Sequence, residues 1–287
     1  MSWSNYHQHC YFCDGTDAPE KYVKTALANG IKSFGFSSHA PVPMDVKWCI
    51  KQERFNDYLA EIKAIQQQYK DELPIFIGCE IDFLPNKMGP NSPQFEVLDY
   101  NVGSVHFVNQ FEDGTYWGID DTFKMYQRGI NELFGGNAQA AVEAYFAITR
   151  MMIEEDAPDI LGHMDKIKMN NKNQQFFEET ETWYQKAVLA TLESVAASDK
   201  NIIIEVNTRG VYKKKTLHPY PSPWVLKHIH AMDIPIMINS DCHHPREVTD
   251  CFAATAEMLQ SIGFKTLQIL TKDGFEARPF DKNGIKF

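Results

Sequence analysis

No apolar run in the sequence reaches the roughly 20 residues that a bilayer-spanning helix needs. The first residues, Met1-Ser2-Trp3-Ser4, carry neither a basic region nor an apolar segment, and the expected compartment is the cytoplasm. There is no G-x-G-x-x-G and no G-x-x-x-x-G-K-[ST], so the usual nucleotide-binding loops are missing. Positive charge is scarce: 28 Lys and Arg stand against 38 Asp and Glu, a formal net charge of -10. Such a chain is a poor general binder of nucleic acid, because neutralising phosphates takes Lys and Arg. The balance does not argue against small anions, since bound cations can reverse the local potential. Of the six cysteines only Cys10 and Cys13 form a C-x-x-C. A structural zinc site would want a second pair, so reduced, semi-buried thiols are expected. No low-complexity tract, linker or short repeat divides the chain, and residues 1–287 are expected to form one domain.

What the sequence does have is a rhythm. Short β-rich runs fall at Ser4 to His9, Ser33 to Ser38, Ile75 to Glu80, Asn101 to Phe107, Ile160 to Met164, Ile202 to Asn207 and Ile234 to Ser240. Helical patterns lie between or after them at Pro19 to Asn29, Gln52 to Tyr69, Gln139 to Glu155, Gln174 to Ala197, Pro223 to Met232 and Thr249 to Ile262. Asp17 is a candidate N-cap for the first helix, and Asn29-Gly30 and Gly263 are candidate C-caps. Strands alternating with helices imply a parallel sheet. Ile202-Ile203-Ile204 and Ile234 to Ile238 are nearly continuous apolar runs, as parallel strands buried on both faces require. Seven such units favour a closed barrel over an open doubly wound sheet. Residues 109–137 break the rhythm with a polar, Asp-, Gly- and aromatic-rich insertion. It follows a strand end, so it is either a substrate-facing excursion or a surface insertion with its own aromatic cluster.

The histidines fall on this frame in a pattern. His7 and His9 are two apart on a predicted strand, which puts both on one face. Asp14 follows in Cys13-Asp14-Gly15. His39 comes just after the second run, Glu80 closes the third, His106 the fourth and His163 the fifth, while Asp241 and His243 close the seventh. Six of the ten histidines thus sit at predicted C-terminal strand ends, the face on which barrel enzymes assemble their sites. Imidazoles and carboxylates converging there can hold metal ions, and carboxylates can bridge two. His218, His228, His230 and His244 fall outside the pattern and are given no ligand role.

His7-x-His9, Asp14, His39, Glu80, His106, His163 and Asp241-x-His243 resemble, in order and over almost the whole chain, the motifs of the PHP (polymerase and histidinol phosphatase) superfamily. The Gly-Ser-Val-His run and the aromatic insertion resemble its stand-alone histidinol-phosphatase branch. The resemblance implies an α/β fold, a distorted (β/α)7 barrel with the metal site at the C-terminal ends of the strands. It implies three divalent or mixed-valence ions. His7, His9, Glu80 and Asp241 would hold the first; Glu80 would bridge to a second with His106 and His163; Asp14, His39 and His243 would hold the third. Zinc, iron and manganese all suit such donors. The implied reaction is hydrolysis of L-histidinol phosphate in histidine biosynthesis.

Adjacent cations neutralise a phosphate dianion and lower the pKa of bound water, which yields a nucleophile at neutral pH. Glu80, Asp241 and His243 are the expected catalytic ligands; His243 is also a candidate substrate contact, and either a metal-bound water or His243 is the candidate proton donor. Arg209, at the end of the sixth run, is the expected phosphate-binding cation, because a guanidinium makes bidentate contacts. Lys166, Lys168 and Arg246 are weaker candidates, and the Lys213-Lys214-Lys215 run is read as solvated, with a second role in attracting an anion left open. Glu205 or an acid of the insertion is a candidate for the substrate's amino group. Two other readings stay open: a PHP-type phosphoesterase for another small phosphate ester or nucleotide, and a non-catalytic metal-stabilised module. Nothing in the sequence sets an oligomeric state.

Overall fold

The computed structural model describes residues 1–287. Along the chain run β1 (Trp3–Asn5), α1 (Pro19–Ala28), β2 (Ile31–Phe36), α2 (Phe55–Gln68), β3 (Ile75–Asp82) and β4 (Tyr100–Ser104). The insertion follows as β5 (Phe107–Gln110), β6 (Tyr116–Gly118) and α3 (Phe123–Phe134). The series resumes with α4 (Ala138–Glu155), β7 (Ile160–Leu161), α5 (Thr182–Ala197), β8 (Ile203–Asn207), α6 (Arg209–Tyr212), α7 (Pro223–Ala231), β9 (Ile236–Asn239) and α8 (Phe252–Ile262). The chain ends in β10 (Thr266–Thr271), β11 (Gly274–Asp281) and β12 (Gly284–Ile285).

β1, β2, β3, β4, β7, β8 and β9 form one seven-stranded parallel sheet whose spatial order is the chain order. The sheet curls until its edges meet. At the seam Tyr6 N donates to Asn239 Oδ1 at 2.8 Å, Asn5 Nδ2 to Ser240 Oγ at 2.7 Å and His9 N to the Cys242 carbonyl at 2.8 Å. The expected (β/α)7 barrel is therefore what forms, and the open sheet is excluded. Every residue of β3 and β8 is buried, as strands covered on both faces demand.

The barrel interior is divided by depth. Tyr6, Phe76, Tyr100, Val102, Ile160, Ile203, Met237 and Leu270 form their own apolar cluster. Phe76, Tyr100, Ile160 and Ile203 lie at or next to the first residue of their strands, so this plug fills the N-terminal end. Gly78 makes room for it: a Cβ there would lie 2.5 Å from the Tyr100 ring. The Tyr100 hydroxyl reaches the carbonyls of Tyr6 (2.7 Å) and Phe36 (3.0 Å). Leu270 comes from the C-terminal three-stranded sheet, which closes the barrel floor and was not anticipated from the sequence. The C-terminal end is left for polar side chains.

Several boundaries differ from expectation. The β1 ladder stops at Asn5, so His7 and His9 lie beyond it; Gln8 still bridges Cys242, which keeps the pair beside the last strand's end. Asp17 does not cap α1; its carboxylate takes Lys21 Nζ at 2.7 Å instead. The pattern read as helix from Gln174 is helical only from Thr182, and the Thr249 pattern only from Phe252. Residues 109–137 are largely structured. They hold most of an antiparallel hairpin and helix α3, which Thr122 caps by accepting from Met125 N and Gly135 ends with φ 60. Trp117 packs there on Tyr126 and Phe134.

Candidate metal centre

Glu80 stands at the centre of the cluster. It lies near the end of β3, is 2% exposed, and sends its two oxygens in two directions. Oε1 lies 2.8 Å from His163 Nε2 and 3.4 Å from His106 Nε2. Oε2 lies 2.9 Å from His39 Nδ1, 3.1 Å from His7 Nε2 and 3.5 Å from His9 Nε2. An isolated parallel bridge between His39 and Glu80 carries His39 to that position. His9 Nε2 is also 3.3 Å from Asp241 Oδ1, and His243 Nε2 is 3.1 Å from Asp14 Oδ1. Asp241 has φ 51, a left-handed conformation uncommon for a side-chain-bearing residue and typical of constrained functional positions. All nine residues singled out in the sequence as ligands therefore meet in one cluster.

Their donor atoms fall into four overlapping groups: His9, Asp14, His39 and His243; His7, His9 and Asp241; His7, Glu80 and His163; and His39, Glu80 and His106. Within each group the donor atoms lie within 4.8 Å of one another. His7 Nε2, His9 Nε2, His39 Nδ1 and Glu80 Oε2 are buried with no hydrogen-bond partner. Leaving so many polar atoms unpaired in an apolar shell is costly. Cations at the centre of these groups would satisfy them together, so the residues fit bound metal.

Around the cluster a further ring of side chains fixes ring orientation, and most of it was missed in the sequence. Glu205 Oε1 lies 2.6 Å from His7 Nδ1, which turns Nε2 toward Glu80. Glu205 is itself held by Asn207 Nδ2 (2.9 Å), Asn239 Nδ2 (3.1 Å) and the His163 amide (2.9 Å). Being fully buried and fully engaged, it cannot receive a substrate's amino group, and that expectation is corrected. Asp82 Oδ1 lies 3.0 Å from His106 Nδ1, and Ser104 Oγ donates to Glu80 Oε1 at 2.7 Å. Glu80-x-Asp82 and Glu205-x-Asn207 repeat the two-residue spacing of a strand face, the signal that could have found them.

Charge in this pocket is strongly coupled. Burial pulls His7 down, but Glu205, Glu80 and Asp241 together hold it well above the usual imidazole range. Burial likewise opposes the charged form of His106, yet Asp82 pushes it up to about 9. His9 is lowered by burial and by His243 and His39; His243 is lowered by burial and by Arg209; His163 by burial and Lys166. Burial would raise Glu80, but His7, His39 and His106 hold it well below the carboxylate range. Asp241 is held low in the same way by His7 and Arg209.

Above the cluster opens a cavity of about 870 Å³, lined by Asp14, His39, Trp48, Lys166, Arg209 and His243 and by residues 113–116 of the hairpin. Arg209 Nη1 donates to the Asp241 carbonyl at 2.7 Å and lies 2.8 Å from His243 Nδ1. Lys213 and Lys215 line the same cavity, so this basic run is not merely solvated; Lys213 also pairs with Glu247. Lys168 is a structural cation, buried against Asp165 (2.6 Å), Ser222 and Glu179. Lys166 faces the metal donors directly. His244 accepts from the Arg246 amide, and His230 packs on Phe264; neither joins the cluster. Cys13 Sγ lies 3.6 Å from His9 Nδ1, and all six cysteines are free.

A seven-stranded parallel barrel that gathers histidines and carboxylates at its C-terminal rim defines a (β/α)7 barrel whose side-chain clusters could hold metal ions. Comparison with known proteins places it more closely. The model of the PHP domain matches residues 5–209, and the chain belongs to that family. Among its relatives, a probable histidinol-phosphatase of Deinococcus radiodurans is 28% identical over 91% of this chain and 94% of its own. The histidinol-phosphatase of Bacillus subtilis is 24% identical over 88% and 97%. The structure of the Lactococcus lactis histidinol phosphate phosphatase, complexed with zinc, L-histidinol and phosphate, has TM-score 0.67 at 18% identity and covers 100% of both chains. A Listeria monocytogenes structure reaches TM-score 0.75 at 22% identity, over 88% of this chain and 99% of its own. No helix of the chain is long and apolar enough to cross a membrane.

Proposed function

We propose that the chain is a histidinol-phosphatase, a metal-dependent phosphomonoesterase that hydrolyses L-histidinol phosphate to L-histidinol and phosphate. The observation that carries this reading is the division of Glu80: Oε1 faces His106 and His163, while Oε2 faces His7, His9 and His39. A carboxylate so placed would serve two cation positions. His7, His9, Glu80 and Asp241 would hold the first ion, Glu80, His106 and His163 the second, and Asp14, His39 and His243 the third. Zinc, iron or manganese would serve. When bound, such ions neutralise the phosphate and lower the pKa of coordinated water.

The chain's own residues do the rest. Glu205 and Asp82 hold the rings of His7 and His106 in the tautomer that offers Nε2. Arg209 places a guanidinium beside Asp241 and His243, where a phosphate over the cluster meets it. His243, kept neutral by burial and Arg209, serves as a ligand rather than as the proton donor. Of the insertion's acids, Asp120 is taken by Lys166, whereas Asp121 lines the cavity with no cationic partner and suits the substrate's ammonium.

The test is phosphate release from L-histidinol phosphate and from a panel of nucleotides and sugar phosphates, with and without chelator, beside elemental analysis. Expected are chelator-sensitive turnover that prefers histidinol phosphate and up to three ions per chain. Equal or faster turnover of nucleotides would overturn the substrate; chelator-insensitive turnover would overturn the metal chemistry.

A further inference from the structure

Lys166 is 6% exposed and opens the short 3-10 turn Lys166–Asn170, its amide bonded to the His163 carbonyl at 2.9 Å. Its ammonium lies 3.3 Å from His106 Nε2 and 3.4 Å from His163 Nε2. These are the same two nitrogens that face Glu80 Oε1. The third neighbour is Asp120 Oδ2 at 3.0 Å, from the insertion that follows β4. No lysine or arginine nitrogen is hydrogen-bonded to Nε2 of His7, His9, His39 or His243; Arg209 reaches His243 at Nδ1, the nitrogen turned away from Asp14, and lies 4.0 Å from Asp241 Oδ1.

A metal ion bound to both nitrogens would sit about 2.0–2.1 Å from each. The ammonium is within reach of both nitrogens, each ring nitrogen has one lone pair to give, and an ion and an ammonium sharing this pair would repel strongly in a buried site. Ion and ammonium cannot both settle on this pair. We propose that Lys166 competes with the metal for His106 and His163, which makes this the exchangeable position of the centre while the other two hold their ions tightly. Asp120 anchors the competitor, so the insertion influences how full the centre is. The inference rests on the metal-centre reading given above.

The test counts ions and affinities rather than turnover. Metal-free protein is loaded with zinc and titrated against a competing chelator, with circular dichroism as the check of folding. For the unaltered chain we expect two tight ions and one at least about tenfold weaker. Lys166→Met and Lys166→Gln, which remove the charge, should tighten the weak position by about tenfold or more, whereas Lys166→Arg should leave it weak. Three equally tight ions in the unaltered chain, or neutral variants in which the weak position stays as it was or weakens, would overturn the competition. If both neutral variants fail to fold, the titration of the unaltered chain still decides. A chain that binds no zinc at all would instead sink the metal-centre reading, a separate outcome.

Discussion

Glu205 Oε1 lies 2.6 Å from His7 Nδ1, and neither side chain is reached by solvent. The carboxylate is in turn bonded by the His163 amide, Asn207 and Asn239. A ligand histidine held this way has one usable tautomer and one orientation, so less ordering is left for metal binding to impose. Glu205→Gln preserves the shape but offers an amide whose oxygen and nitrogen can address Nδ1 equally. It should weaken the tightest zinc site about 10–100-fold in a chelator competition. An unchanged affinity would mean that His7 needs no orienting partner.

Metal loading should depend on pH with a definite sign. In the metal-free chain His7 is held well above its ordinary value by Glu205 and two further carboxylates. The ring must lose a proton to coordinate, so zinc affinity should rise from about pH 6.5 upward, by about tenfold per unit for the proton displaced. The stability of the metal-free chain should run the other way. A group whose pKa is raised on folding stabilises fully below its unfolded value and loses that contribution as pH climbs through the folded one. The metal-free Tm should therefore fall across the same interval, and saturating zinc should remove the fall. A flat zinc affinity over this range would show that His7 is not protonated in the metal-free state.

The clustering of the candidate ligands was legible in the sequence because a parallel barrel turns strand ends into a shared rim. Once the seven runs are placed, His39, Glu80, His106, His163 and Asp241 have nowhere else to go. The barrel was legible for the same reason: β-rich and amphipathic segments alternate at regular intervals. The supporting ring was harder. Glu205 lies inside an apolar run, and only knowing which face of β8 points inward assigns it to His7 rather than to a substrate. Lys166 was harder still, since its ammonium reaches His106 through a turn whose path no local periodicity sets. The floor of the barrel escaped because Leu270 joins the plug through contacts with Tyr6 and Ser33 more than 230 positions away. Asp17 failed as a cap because Lys21, one turn along the helix, competes for its carboxylate.

On the proposed reading, Arg209 would separate phosphate binding from metal holding. Its Nη1 donates to the Asp241 carbonyl, and that carbonyl also lies 3.1 Å from the Tyr212 hydroxyl. Removing the guanidinium thus leaves Asp241 with a donor, so the backbone at φ 51 keeps its support and metal content should not change. The substrate loses a planar, multidentate cation at the point where phosphate charge must be balanced. Arg209→Met should lower kcat/KM for histidinol phosphate by about 10²-fold and weaken product inhibition by inorganic phosphate, with metal content unchanged. Arg209→Lys should recover only part of the loss, since an ammonium cannot bond the Asp241 carbonyl and present a fork to phosphate at once. A full rescue by lysine would reduce Arg209 to a source of positive charge. A loss of zinc in step with activity would instead show that it acts through Asp241 and His243, as a positioning residue of the metal centre.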